Sequence, residues 1–262
     1  QLGRQRRRLA PLGTARIARC RVRRVGLSLG YVRRPRVRYG ALYGLGAHVL
    51  RHIVEVRCAL GTIRAEVGKR HESADGARVV YRADQFLDGL TELWSVPIGG
   101  GAATRLNAAI GGLSDVIDFT ISPDSSRVVY LADYTDTLNE LWSVPIAGGA
   151  SIRLNRTLAA GGDVQAFLLS PDSSWVVYGA DQDQDTKDEL LRVPLAGGTV
   201  EDVNGPLVFN GDVSLTFLSS PVFTISPDSL GILYSADEIV DGEIELFQSV
   251  VGGPPGAPLD VV

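Results

Sequence analysis

Apolar and polar positions follow one pattern four times along the chain, from residue 72 onward. One copy begins with a short apolar run that ends in a Ser-Pro-Asp-Ser turn, DFTISPDSS at 118–126. The β-branched run RVVYLA at 127–132 follows, and an Asp-rich hairpin then leads to ELWSVP at 140–145. A Gly-Gly turn and the run SIRLN at 151–155 complete the copy. This alternation of short apolar runs and turn residues predicts four β-strands per copy.

The four copies recur with a nearly regular period, which indicates a repeat architecture. They cover residues 72–107, 119–155, 167–204 and 223–260. The tyrosine of the second strand occurs at Tyr81, Tyr130, Tyr178 and Tyr234, at intervals of 49, 48 and 56 residues.

The second strand of each copy is apolar on both faces, so it must be covered on both sides. Four-stranded units that stack face to face provide this cover, and their radial repetition produces a β-propeller. We therefore predict an all-β propeller with blades of about 48 residues, of which four are visible. A β-sandwich is the competing all-β interpretation, but it does not explain the regular period.

The repeated unit resembles the WD40-like (TolB-like, PD40) β-propeller repeat family. The positions that carry the resemblance are the turn residues Asp75, Pro123, Asp124, Pro171, Asp172, Pro227 and Asp228, the four tyrosines, and the large residues Trp94, Trp142 and Phe247. The first copy departs from the pattern with Ala74 in the proline position, and the third has Leu191 in the aromatic position. The resemblance implies a ring of often about six or seven blades, so four blades predict an incomplete ring.

The charge of the chain divides it into two unlike parts. Residues 1–70 hold 18 of the 26 basic residues and two acids, a net charge of +16, whereas residues 71–262 have a net charge of −20. We predict that the Arg-rich segment 1–71 is poorly ordered or not native to the fold, as a shifted reading frame in GC-rich DNA would produce. A nucleic-acid-binding arm is the other interpretation, although the segment contains no recognisable binding motif. The absence of methionine and the first residue, Gln1, indicate a processed chain or a fragment.

One hairpin has the spacing of a cation-binding loop. Asp181, Asp183 and Asp185 place carboxylates at alternate positions, and hard oxygen ligands of this kind bind Ca²⁺. The loop lacks the glycine and the final glutamate of an EF-hand, since Thr186 and Arg192 occupy those positions. The hairpin therefore predicts either weak calcium binding or solvated turn residues. The equivalent hairpins are also acidic, through Asp84, Asp88, Asp133, Asp136, Asp237 and Asp241.

Other chemical motifs are weak. Ser28 lies in a GxSxG pattern, but Pro35 argues against the helix that a nucleophile elbow requires. His48 and His52 have helical i, i+4 spacing without an HExxH motif, so zinc is not predicted. No run of 18 apolar residues is present, so no membrane span is predicted. The chain is therefore expected not to be an enzyme and to need no cofactor beyond weakly bound calcium.

Three functional hypotheses follow, and the resemblance favours the first. It is a non-catalytic binding or scaffold module of an exported, TolB-like protein that binds a protein or peptide partner in the periplasm or outside the cell. The second is the substrate-gating propeller of a prolyl-oligopeptidase-like serine peptidase that lacks its hydrolase domain. The third is a nucleic-acid-associated protein that uses the basic segment.

Overall fold

The computed structural model describes residues 56–58, 61–63, 69–84, 90–108, 115–134, 138–217, 220–221, 223–240, 242–251 and 257–258. These residues form β-strands, turns and loops. A short hairpin precedes the repeats, with strands β1 (Val56–Cys58) and β2 (Gly61–Ile63). Residues 69–71, at the end of the predicted basic segment, are described and lead into blade 1, whereas Ser28, His48 and His52 lie outside the described residues.

Each of the four sequence copies folds as one antiparallel, four-stranded sheet, and we call these sheets blades 1 to 4. Blade 1 contains β3 (Arg70–Glu72), β4 (Arg78–Ala83), β5 (Glu92–Pro97) and β6 (Thr104–Arg105). Blade 2 contains β7 (Val116–Ile121), β8 (Arg127–Asp133), β9 (Asn139–Pro145) and β10 (Ile152–Arg153). Blade 3 contains β11 (Val164–Leu169), β12 (Trp175–Ala180), β13 (Glu189–Pro194) and β14 (Glu201–Asp202).

Blade 4 is preceded by an insertion that accounts for the longer last tyrosine interval. The insertion is a small hairpin, with strands β15 (Thr216–Phe217) and β16 (Ser220–Pro221). Blade 4 itself contains β17 (Thr224–Ile225), β18 (Gly231–Ala236), β19 (Glu245–Val250) and β20 (Ala257–Pro258). The prediction of four-stranded propeller blades is confirmed, and the first blade begins at Arg70, two residues before the predicted boundary.

The hydrophobic core is divided into three clusters, one between each pair of neighbouring blades. The two faces of β8 show how one strand serves two clusters: Val128 and Tyr130 pack toward blade 1, whereas Val129 and Leu131 pack toward blade 3. All four side chains are buried. This arrangement explains why the second strand of each repeat is apolar at successive positions, since both of its faces lie in an interface.

In blades 2 to 4, the large residue of the third strand lies in the interface with the preceding blade. Phe247 is fully buried and stacks on Tyr234, with ring centroids 5.6 Å apart. Trp142 is half-buried against the cluster between blades 1 and 2, and Leu191 is buried between blades 2 and 3. Trp94, in blade 1, is also half-buried. Within the described part of the chain the blades form an open arc, because no other blade covers the outer face of blade 4.

Candidate binding rim

The arc has two rims with different chemistry. The hairpins β4–β5, β8–β9, β12–β13 and β18–β19 lie at the same end of the blades as the connections from one blade to the next, and we call this end the loop rim. The Ser-Pro-Asp-Ser turns and the Gly-Gly turns lie at the opposite end, which we call the turn rim. This division follows from antiparallel pairing, because strands that alternate in direction place alternate connections at opposite ends.

On the turn rim, the repeated turn is held by its own side chains. In blade 2, the Ser122 hydroxyl donates to Asp124 Oδ1 and accepts from the Arg127 N–H at 3.0 Å. Asp124 Oδ1 also accepts from the Ser126 N–H at 3.0 Å. The same contacts recur in the other three turns. The signature aspartates therefore stabilise turns, as their turn-forming residue types predict.

In blades 2 to 4, a serine of the turn also joins neighbouring blades. Ser125, Ser173 and Ser229 have φ angles of 61°, 63° and 65°, which turn the side chain toward the preceding blade. The Asp124 N–H donates to Ser173 Oγ at 3.0 Å, and the Asp172 N–H donates to Ser229 Oγ at 3.0 Å. The polar groups of the turn rim are thus used within the arc itself.

On the loop rim, aspartates link the blades in a different way. Asp181 is buried, and its two carboxylate oxygens accept from the Asp163 N–H at 2.6 Å and from the Thr186 N–H at 3.0 Å. Asp163 in turn accepts from the Asn139 N–H at 2.6 Å. The contacts of Asp163 join the connection between blades 2 and 3 to the hairpins of both blades, whereas the Asp181–Thr186 contact closes the hairpin of blade 3 on itself.

The structure places the three aspartates of the predicted calcium loop against different partners. Asp181 binds backbone N–H groups, and Asp183 pairs with Arg156 at 3.2 Å. Asp185 is exposed and lies beside Gly161, where an added Cβ would be 2.8 Å from Oδ2. Among the described residues, no group of three or more side chains is arranged to hold a metal ion. Calcium binding by this loop stays a prediction.

Arg156, in the connection that follows blade 2, links the hairpin of blade 3 with β14, the edge strand of blade 3. Its guanidinium pairs with Asp202 at 2.8 Å as well as with Asp183, and it donates to the Val200 carbonyl at 3.2 Å. Although partial burial opposes the charge, the bond to Asp202 and the nearby carboxylates raise the pKa of Arg156. Sequence reasoning did not identify this residue, because its partners are 27 to 46 positions away.

Two acidic groups on the loop rim are held in surroundings that oppose ionisation. Burial, together with the carboxylates of Asp181 and Asp212, raises the pKa of Asp188 to about 6. Glu238 is buried and accepts from the Tyr234 hydroxyl at 2.6 Å, and burial raises its pKa. The loop rim of blades 3 and 4 is therefore crowded with acidic groups.

Exposed apolar side chains accompany these acids. Phe209 lies in the connection from blade 3 to blade 4 and is 88% exposed, and Ile244 in the last hairpin is 70% exposed. Ile239 and Val240, in the same hairpin as Ile244, are also exposed. Phe209 could have been found from the sequence, because it is an aromatic residue in a connection that contains Pro, Asn and Gly. The sequence pattern of the repeats did not single it out. The rim of blades 3 and 4 combines apolar and anionic groups on one surface.

Comparison with known proteins finds distant structural similarities. No family model and no curated protein matches the sequence. Similar solved structures include puromycin hydrolase (TM-score 0.49, 15% identity, 75% of this chain and 29% of that chain). They also include TolB from Acinetobacter baumannii (0.43, 12%, 79% and 48%) and the tricorn protease (0.48, 14%, 74% and 18%). The chain thus spans less than half of each of these structures, and the fold assignment rests on the blades themselves. The described residues include no helix long and apolar enough to cross a membrane.

Proposed function

We propose that this chain is a non-catalytic propeller module that binds a protein or peptide partner on the loop rim of blades 3 and 4. The observation that carries the proposal is the exposure of Phe209 and Ile244 on the rim that also carries Asp183 and Asp185. Exposed apolar groups surrounded by polar ones are typical of interaction sites.

The contrast between the rims supports this choice of surface. On the turn rim, serine and aspartate side chains are occupied by bonds within and between blades. On the loop rim, a large aromatic side chain is left in solvent, although aromatic side chains contribute most when they are buried in an interface. The two most exposed large apolar side chains of the described residues, Phe209 and Ile244, therefore both lie on the loop rim.

The charge of the surface indicates the chemistry of the partner. Residues 71–262 have a net charge of −20, and a field of one sign attracts ligands of the opposite sign. A segment that alternates aliphatic and cationic side chains would satisfy both the apolar and the anionic groups of the rim. We place the module in an exported, TolB-like protein of the periplasm or cell exterior on the resemblance of its repeats.

The proposal can be tested with two fluorescent peptides of equal length, one alternating Leu with Lys and the other alternating Leu with Glu. We expect anisotropy to show binding of the Leu-Lys peptide only. The substitutions Phe209→Ala and Asp183→Asn should each weaken binding at least threefold, which corresponds to about 0.7 kcal/mol. Ile152→Ala is the matched control, since Ile152 is an exposed apolar residue away from this rim. Equal effects of Phe209→Ala and Ile152→Ala would reject the loop rim as the binding surface.

The non-catalytic part of the proposal has a separate test. The chain by itself should release no product from a chromogenic prolyl-peptide substrate. Hydrolysis that copurifies with the chain and is blocked by a serine-directed inhibitor would reject a purely binding role.

A further inference from the structure

The outer face of blade 4 differs from the corresponding faces of the other three blades. At each interface within the arc, one residue of the second strand and one of the third strand point toward the next blade. In blades 1 to 3 these pairs are at most 1% exposed, and they are Val80 with Leu93, Val129 with Leu141, and Val177 with Leu190. In blade 4 the same positions are held by Leu233, which is 37% exposed, and Leu246, which is 42% exposed. The apolar residues of an inter-blade interface are thus present there, and none of the described blades covers them.

At the other end of the arc, the outer face of blade 1 is also exposed. The residue after the third strand points toward the preceding blade, where Ile146 is 8% and Leu195 is 4% exposed. The equivalent residue of blade 1, Ile98, is 39% exposed. Val79 and Val96 are half-buried in blade 1, whereas their equivalents in blades 2 and 3 are fully buried. Blade 1 therefore exposes the face that contacts the preceding blade at an interface. Blade 4 exposes the face that contacts the next blade.

We propose that two copies of this chain associate head to tail, with the outer face of blade 4 in one copy packed on the outer face of blade 1 in the other. The two faces carry the same residue types that already pair at the three interfaces within the chain. The second copy would therefore pack on blade 4 in the way that each blade packs on the one before it. A contact between two different surfaces is heterologous, and it closes a ring when both ends can meet. Two arcs joined at both ends contain eight blades, which lies within the roughly four to eight blades of known propellers.

Polar groups at the interfaces agree with this pairing. Ser143 donates to the Leu195 carbonyl at 2.8 Å, and Arg192 donates to the Val250 carbonyl at 3.2 Å, each across an interface. Gln248 occupies the equivalent position on the open face of blade 4 and is exposed. Its amide can donate to a carbonyl of the incoming blade in the same way.

One hydrogen bond of the interfaces within the chain is missing from this contact. The serine that accepts the aspartate N–H of the preceding blade is replaced in blade 1 by Gly76, with a φ angle of 67°. The Asp228 N–H of the partner copy would therefore face a residue without a hydroxyl group. Serine fits this position, since Ser125, Ser173 and Ser229 adopt the same angle and an added Cβ at Gly76 meets only Glu72 Oε1, at 3.8 Å. The contact between copies should be weaker than a contact within the chain.

Sedimentation velocity over a range of protein concentrations tests the association. We expect the full chain to change from monomer to dimer as its concentration rises. Leu246→Asp and Ile98→Asp should each shift the transition to concentrations at least tenfold higher, while Ile117→Asp, at a residue that is 40% exposed on blade 2, should not. Melting temperatures of the variants show whether each one is folded. A chain that stays monomeric throughout overturns the proposal.

Two further measurements separate this geometry from other modes of self-association. A mixture of Leu246→Asp and Ile98→Asp chains retains one intact pair of faces, so it should dimerise more readily than either variant alone. Association that Leu246→Asp abolishes and Ile98→Asp leaves unchanged would instead indicate contact between two blade 4 faces, and would overturn the proposal.

The substitution Gly76→Ser should strengthen the association, because it supplies the missing acceptor. A dimer joined at both ends gains two such hydrogen bonds, so at about 1 kcal/mol for each we expect the dissociation constant to fall about 25-fold. Gly76→Ala is the control, since it adds the Cβ atom without the hydroxyl group. A Gly76→Ser chain that associates no better than the Gly76→Ala chain would place Asp228 away from blade 1 and would reject this arrangement.

Discussion

Aspartate side chains accept backbone N–H groups at both rims of the arc, yet the two rims give their carboxyl groups opposite surroundings. On the turn rim, the Ser170 hydroxyl and the Ser174 N–H hold the pKa of Asp172 below its usual range. On the loop rim, burial beside two other carboxylates raises the pKa of Asp188 to about 6. The turn rim separates its acids, one per blade, whereas the loop rim brings together acids from a hairpin and from the connections on either side of it.

This difference indicates that the two rims have different roles. Side chains of the turn rim satisfy one another, so that rim stabilises the stack of blades. The loop rim concentrates charge and leaves apolar groups in solvent, at a cost in stability that a binding function would explain. Changes confined to one rim should therefore have different effects on stability from matched changes on the other.

Adding a methyl group should affect Gly162 on the loop rim far more than Gly99 on the turn rim. A Cβ at Gly162 would lie 2.4 Å from the Asp181 carbonyl oxygen, so Gly162→Ala must displace the backbone. We expect a loss of about 2 kcal/mol or more in the free energy of unfolding. Gly99 on the turn rim has nothing within 4 Å of an added Cβ, and Gly99→Ala should change stability by less than about 0.5 kcal/mol. Similar losses for both variants in urea unfolding would contradict the contrast.

Removing a turn aspartate should weaken one blade and leave the others largely intact. Asp124→Ala removes the acceptor for the Ser126 N–H and for the Ser122 hydroxyl, at a cost of about 0.5–2 kcal/mol. Because each blade contacts only its neighbours, hydrogen exchange should accelerate mainly in blade 2. Equal acceleration in all four blades would show that the arc unfolds as one unit and that the turn has no local role.

The two rims should respond to pH in opposite directions. The pKa of Asp188 is raised in the folded chain, so its contribution to stability is present below about pH 4 and is lost as pH rises through about 6. Since the group is partly exposed and screened by solvent, we expect Asp188→Asn to gain only about 1 kcal/mol over the parent chain at pH 7.5, and nothing at pH 4. Asp172→Asn should be less stable than the parent chain at pH 7.5, because the lowered pKa of Asp172 means that its charged form stabilises the fold. Melting curves at both pH values measure the two effects, and a gain from Asp172→Asn at pH 7.5 would contradict this assignment.

Calcium should have the smallest effect. The carboxylates of Asp183 and Asp185 are accessible on the loop rim, but Asp183 already pairs with Arg156. Binding at about ten times the dissociation constant would add about 1.4 kcal/mol at most, which raises the melting temperature by a few degrees. Calorimetry in calcium, magnesium and chelator, repeated on Asp183→Asn, provides the comparison. The same melting temperature in all three conditions would leave these aspartates as turn residues.

The sequence by itself determined the repeat, the four strands of each blade and the positions of the turns. These features depend on local chemistry: β-branched residues favour strands, Pro and Asp favour the turn, and a strand that is apolar at successive positions must be buried on both faces. For this reason β8 and β9 begin within one residue of their predicted starts at 127 and 140.

Which side chains share a partner, and which remain exposed, depends on how the blades and their connections are arranged in space. Asp181, Asp183 and Asp185 look equivalent in sequence, but one is buried on backbone groups, one meets Arg156, and one stays in solvent. In the same way, Leu246 has the residue type of Leu190, and only the absence of a covering blade makes it accessible. The reason is physical: these partners come from connections and blades distant along the chain, so neither the spacing nor the identity of a residue specifies what covers it.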